Sequence, residues 1–187
     1  MHRNSCSHGS FKLTPVEDFK IFAGFSCLKP NDTDRDLEEF IREDAERHFK
    51  DKIAVTYCLV EESAPETPIA FATLQNDAII VEKDNPLPEL GDSYHYPAYP
   101  AVKIGRLGVV LEMQGKQMGK LLLHLIKMLM LDANRTGCRF LTVDARRDRK
   151  NKENVIPFYQ KCGFSVLSCR ASTSKYTPMY FDLSSIV

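Results

Sequence analysis

The most suggestive spacing in the chain is Gln114-Gly115-Lys116-Gln117-Met118-Gly119-Lys120, set between the β-branched run AVKIGRLGVV and the apolar run LLLHLIKMLML. A helix beginning at this junction exposes unpaired N–H groups and the positive end of its dipole. Gly115 and Gly119 let an anion approach the backbone closely, and Lys116 and Lys120 add charge. Such a turn suits a phosphate or pyrophosphate. It is not a P-loop, because its glycines are one residue too close and Leu121 stands where Ser or Thr would hold Mg²⁺. It also lacks the dinucleotide G-x-G-x-x-G pattern. An ordinary glycine-containing strand-to-helix connection is the alternative reading. A second candidate is the run ARRDRKNK, where Arg146, Arg147, Arg149 and Lys150 could meet phosphates or form a solvated basic face.

These residues need elements to hold them. FSCLKPNDTDRDLEEFIREDAERHFKDK predicts an amphipathic helix over residues 34–50, with Thr33 and Asp36 as a capping-box-like start and Leu37, Phe40, Ile41, Ala45 and Phe49 on its apolar face. IAVTYCLVEE and PIAFATLQNDAIIV read as two strands paired in a hairpin around SAPETP. EKDNPLPELGDSYHYPAYP reads as a long surface loop. Beyond it come the strand AVKIGRLGVV, a helix over residues 117–133, the strand CRFLTVDA, a short helix in ENVIPFYQKC, and closing strands in FSVLSC and MYFDL. In the long helix, Gln117, Lys120, His124 and Lys127 make a narrow water-facing stripe, with His124 a solvated histidine.

Composition bounds the rest. The 187 residues suit one domain, with 43% hydrophobic and 27% charged side chains. Lys and Arg total 25 and Asp and Glu total 25, so an anion site must be local. No signal-peptide pattern and no membrane-length apolar run is present, so a cytoplasmic protein with no membrane association is expected. Six scattered cysteines without C-x-x-C pairing fit reduced thiols. His2, Cys6 and His8 lie in a stretch, residues 1–10, expected to be flexible, so no metal is expected.

The turn resembles the [RQ]-x-x-G-x-[GA] acetyl-CoA signature of the GNAT superfamily of N-acetyltransferases, with Gln117 where that family has its central glycine. GRLGV looks like the family's fourth strand and FYQKCGF like its F-Y-x-x-x-G-F close. FSC…DLEEFIREDA and YPAVKIGRLGV are similar to the toxin-like branch that acetylates aminoacyl-tRNA. Between them the matches span most of residues 25–183.

The resemblance implies a single α/β GNAT domain, residues 1–187, with a mixed, mostly antiparallel twisted sheet flanked by helices. It implies acetyl-CoA as co-substrate, its pantetheine arm along Leu107, Gly108 and Val109 and its pyrophosphate on the Gln114 to Lys120 turn. Tyr159 matches the tyrosine that protonates the leaving thiolate. The family often has an Asn contact to pantetheine seven residues before that Tyr. Lys152 stands there in this chain, flanked by Asn151 and Asn154, and Asn154 is the candidate. Arg106 is a candidate for an anionic group of the acceptor, with an outward-facing strand arginine as the alternative. Arg146 and Arg147 are candidates for the CoA 3′-phosphate or an RNA backbone. AVKIGRLGVV contains no carboxylate and Glu112 reads as solvent-facing, so transfer without a dedicated base is expected, by proximity to a weakly basic aminoacyl amine. The implied function is acetyl transfer to a primary amine, with aminoacyl-tRNA as the leading acceptor. A small-molecule or protein amine is the enzymatic alternative, and an inactive CoA-binding module the non-enzymatic one. A neutralising antitoxin-like protein and a homodimer are the implied protein partners.

Overall fold

A computed structural model describes residues 5–29, 35–81, 87–90, 96–132, 136–148, 153–168, 170, 172–173 and 175–186. The capping-box residue Thr33, Arg149, Lys150, Asn151, Lys152, Cys169 and much of the long loop lie outside the described residues. The chain divides into two compact units, residues 1–75 with 105–133, and residues 76–104 with 134–187. Two strands run through both: β4 (Ala70–Ile80) and β5 (Ala98–Val109).

In the first unit β1 (Cys6–His8) pairs antiparallel with β2 (Phe11–Pro15) across a tight turn, which Gly9 makes with φ +61°. Only glycine takes that backbone conformation without strain. β2 pairs antiparallel with β3 (Val55–Glu61), and β3 with β4, which is the hairpin the sequence predicts. The predicted amphipathic helix is α1 (Asp36–Glu39) running into a π turn (Phe40–Asp44) and then α2 (Ala45–Lys50). The Ala45 N–H donates to Phe40 O, five residues back. α3 (Met118–Asp132) follows β5 as predicted. His124 is exposed, its ring edge-on to His8 at 5.6 Å between centroids. Lys127 corrects the predicted water-facing stripe: it is buried, only 9% exposed, because the helix covers more of its circumference than a single apolar face. The core packs Phe22, Phe25 and Phe71 edge to face beneath Phe40 and Ile41.

In the second unit β5 pairs parallel with β6 (Phe140–Asp148), β6 pairs antiparallel with β9 (Tyr176–Asp182), and β8 (Ser165–Val166) closes antiparallel on β9. β7 (Glu153–Asn154) pairs with the end of β6 and leads into α4 (Ile156–Lys161). Its core gathers Ile79, Leu87, Tyr99, Phe140, Leu167 and Tyr180. The ionised Asp77 lies among these elements, accepting from Thr142 Oγ1 at 2.6 Å and from both Arg170 terminal nitrogens at 3.3 Å. The sheet is therefore mixed and mostly antiparallel, as expected. Among the described residues no helix is long and apolar enough to cross a membrane, and no group of three or more metal-ligating side chains occurs.

Candidate functional site

The turn after β5 takes its shape from backbone handedness. A short 3-10 turn (Leu111–Met113) ends in extended backbone at Gln114, and Gly115 then turns left-handed at φ +76°. A Cβ at Gly115 would touch nothing within 4 Å, so conformation rather than crowding calls for glycine there. Gln117 is left-handed too, at φ +64°, a conformation that glycine adopts most readily, while carrying a side chain. The α-helical ladder starts with Leu121 N–H donating to Gln117 O at 3.0 Å. Met118, Gly119 and Lys120 therefore occupy the first turn, whose N–H groups have no carbonyl one turn back. Lys116 and Lys120 are exposed beside them.

Gln114 has a structural task that its motif position does not reveal. Its Nε2 donates to Cys27 O at 2.7 Å and to Val109 O at 3.0 Å. Leu111 N–H donates to Ser26 O at 2.9 Å, so the segment before the turn is tied to residues 26–27 at two points. Those residues are held from their other side by Glu38 of α1. Its Oε1 accepts from Ser26 Oγ at 2.7 Å, Cys27 N at 2.8 Å and Leu28 N at 3.2 Å, and Arg42 sits 3.5 Å from Oε2. Burial opposes the charge on Glu38, but the bonds from Ser26, Cys27 and Leu28 and the Arg42 guanidinium outweigh it and hold the carboxyl below its ordinary range. Glu38 thus positions the loop that Gln114 grips.

On β5 a Cβ at Gly108 would come 2.6 Å from Cε1 of the fully buried Phe71, so glycine is required there for packing. Leu107 and Val109 flank it, half-buried. The parallel register of β5 with β6 runs from Ala101 to Ile104. Arg106 is committed within the first unit: its Nε lies 3.1 Å from Asp36 Oδ2, and its guanidinium sits over the Phe40 ring at 5.1 Å. Beside it opens a cavity of about 230 Å³ lined by Phe40, Asp44 and His48 from the π turn and α2, Thr73 and Gln75 from β4, and Gly105 and Arg106 from β5. Sequence reading missed Glu38, Asp44 and His48, because nothing in their spacing to the turn marks them.

The second unit holds the other candidates. Tyr159 on α4 is 6% exposed, its ring edge-on to Phe158 and Phe164 at 5.1 and 5.5 Å. Burial, with a smaller contribution from Cys162, pushes its phenol well above the usual range, so it stays protonated at neutral pH. Asn154 Oδ1 accepts from Ile156 N at 3.1 Å, a local turn that leads into α4 and leaves its amide nitrogen outside that bond. Arg146 and Arg147 are half-buried on β6, opposite Tyr176 and Asn154 respectively.

No family model and no curated protein sequence matches the chain. Solved structures do. AtaT complexed with acetyl-methionyl-tRNAfMet superposes with TM-score 0.69 at 19% identity, covering 94% of this chain and 96% of that one. A Tyr-to-Phe mutant of KacT gives TM-score 0.68 at 20% identity, over 95% and 98% of the two chains. A Tyr-to-Phe mutant of the AtaT toxin, bound to the C-terminus of the antitoxin AtaR and acetyl-CoA, gives 0.65 at 19%, over 95% and 96%. At these identities the likeness shows the fold alone: the chain has the mixed α/β fold of the AtaT and KacT structures.

Proposed function

We propose that this chain is an acetyl-CoA-dependent N-acetyltransferase that acts on a primary amine, with aminoacyl-tRNA as acceptor. The observation that carries the reading is the Gln114 to Lys120 turn, left-handed at Gly115 and Gln117 and opening the first turn of the 15-residue α3. Its unpaired N–H groups and two lysines match a pyrophosphate, and the length of α3 supports the dipole behind them. Gln114, clasped to Cys27 and Val109, shapes the turn and leaves phosphate contact to the residues after it. Leu107, Gly108 and Val109 hold the pantetheine arm as an added strand. Tyr159 is the candidate to give its phenolic proton to the leaving thiolate. AtaT complexed with acetyl-methionyl-tRNAfMet, and AtaT bound to acetyl-CoA and the AtaR C-terminus, support the acceptor and the co-substrate, and suggest a neutralising protein partner.

The test is incubation of the purified chain with labelled acetyl-CoA and mixed aminoacyl-tRNA, with uncharged tRNA and Tyr159→Phe as controls. Label on charged tRNA alone supports the proposal. Label on small amines instead replaces the acceptor. CoA binding without transfer to any amine favours the inactive-module reading.

A further inference from the structure

The helical segment 36–50 holds a line of side chains at strict four-residue spacing: Asp36, Phe40, Asp44 and His48. In a regular α-helix the first and last of these would lie ~120° apart around the axis. The π turn at Phe40–Asp44 accommodates one extra residue and removes roughly 100° of that drift, so the four share one face. That face meets β5. Asp36 neutralises Arg106, Phe40 lies under its guanidinium, and Asp44 and His48 line the cavity. The Phe40 ring stands between Arg106 and the His48 imidazole, which meets it edge-on at 5.2 Å between centroids and 81°. Gly105 forms part of the wall: a Cβ there would come within 3.3 Å of both Gln75 Oε1 and Thr73 Oγ1. The charged groups lining the cavity are Asp44, from His48's own helical segment, and Arg106, from β5, whose charge Asp36 already balances. Thr73 and Gln75 are neutral.

We propose that this cavity receives the acceptor's primary amine, with Asp44 attracting its ammonium form and His48 taking its proton as general base. The inference rests on the acetyltransferase reading, under which the pantetheine arm runs from the turn back along Val109, Gly108 and Leu107. Its acyl end then points toward Arg106 and Gly105, where the cavity opens. The amine nitrogen attacks the thioester carbonyl carbon, the C–N bond forms, and the C–S bond breaks with its electron pair leaving on sulfur. Nitrogen sheds two protons by way of the His48 imidazole, one from the ammonium before attack and one from the adduct after it, both passing on to solvent, while the thiolate is protonated separately. An imidazole suits this exchange near neutral pH. The strand carries no carboxylate to serve as base, and the cavity supplies one from the facing helix.

Two readouts test it on the full chain. Acetyl transfer to aminoacyl-tRNA is measured against pH for the wild type, His48→Gln and Asp44→Asn. His48→Gln is expected to lower kcat/KM by about 100-fold and flatten the acid limb of the profile, with acetyl-CoA affinity unchanged. Asp44→Asn is expected to raise the acceptor KM about tenfold. Independently of turnover, glycinamide is titrated while the His48 ring resonance is followed by NMR, and the resonance should shift. Wild-type rate and pH profile in His48→Gln, or a ring that does not respond to glycinamide, overturns this inference and leaves the transferase reading standing. A ring that responds in a chain that acetylates no amine overturns the base step and the transferase reading together.

Discussion

At the scale of single residues, backbone sign and local packing decide what each position tolerates. Gln117 holds a left-handed φ that costs a residue with a Cβ about 1 kcal/mol. Gln117→Gly is expected to raise stability by up to about 1 kcal/mol and Gln117→Val to lower it by a similar amount, read as the order of denaturation midpoints. Gly108→Ala pushes a methyl into the buried Phe71 ring and should cost about 1–3 kcal/mol. Tyr159→Phe is expected to reduce turnover roughly ten- to a thousandfold while acetyl-CoA affinity stays nearly intact; unchanged turnover removes Tyr159 from the mechanism. The turn itself was legible because glycines, lysines and an apolar run are contiguous in sequence. The grip of Gln114 on Cys27, 87 residues earlier, was not, since no local pattern records a long-range side-chain bond.

At the scale of elements, the loop at Ser26 to Leu28 joins α1 to the turn before α3. Glu38 holds its N–H groups, and Leu111 and Gln114 take its carbonyls. A double-mutant cycle should therefore find Glu38→Ala and Gln114→Ala non-additive in acetyl-CoA affinity, coupled by about 0.5–3 kcal/mol. Strict additivity would show that the loop does not connect them. Most elements could be read from periodicity: β3, β4 and β5 from β-branched runs, α3 from its apolar run. The β1–β2 hairpin was missed because SCSHGSFKLTP alternates weakly and its one signal is Gly9. The π turn did leave a trace. Leu37, Ile41, Ala45 and Phe49 recur every four residues, a spacing that drifts around an unbroken α-helix and that the π turn brings back to one face.

At the scale of the whole molecule, charge sets the response to pH and salt. The carboxyls of Glu38, Asp77 and Asp182 each titrate below their ordinary range, because donors such as Ser26, Thr142 and Arg139 outweigh the opposing cost of burial. A depressed folded-state value means stability that is present above the unfolded value near pH 4 and is lost as pH falls through the folded one. Stability should therefore decline below about pH 4, and Glu38→Gln should lose part of that dependence. With zero net charge, an RNA acceptor must be held by local cations. If Arg146 and Arg147 each meet a phosphate, affinity for charged tRNA should fall with salt at a log–log slope of about −2, and a flat response would remove them. The π turn also bears on how this protein tolerates changes in length. Glu43 is exposed within it, and excising that residue would convert i, i+4, i+8 spacing into the i, i+4, i+7 of an ordinary helix. Asp44 and His48 would keep their side, as would Ala45 and Phe49, so this helix can shed a residue without changing what it presents, and a gap at this point in an alignment need not signal a different site.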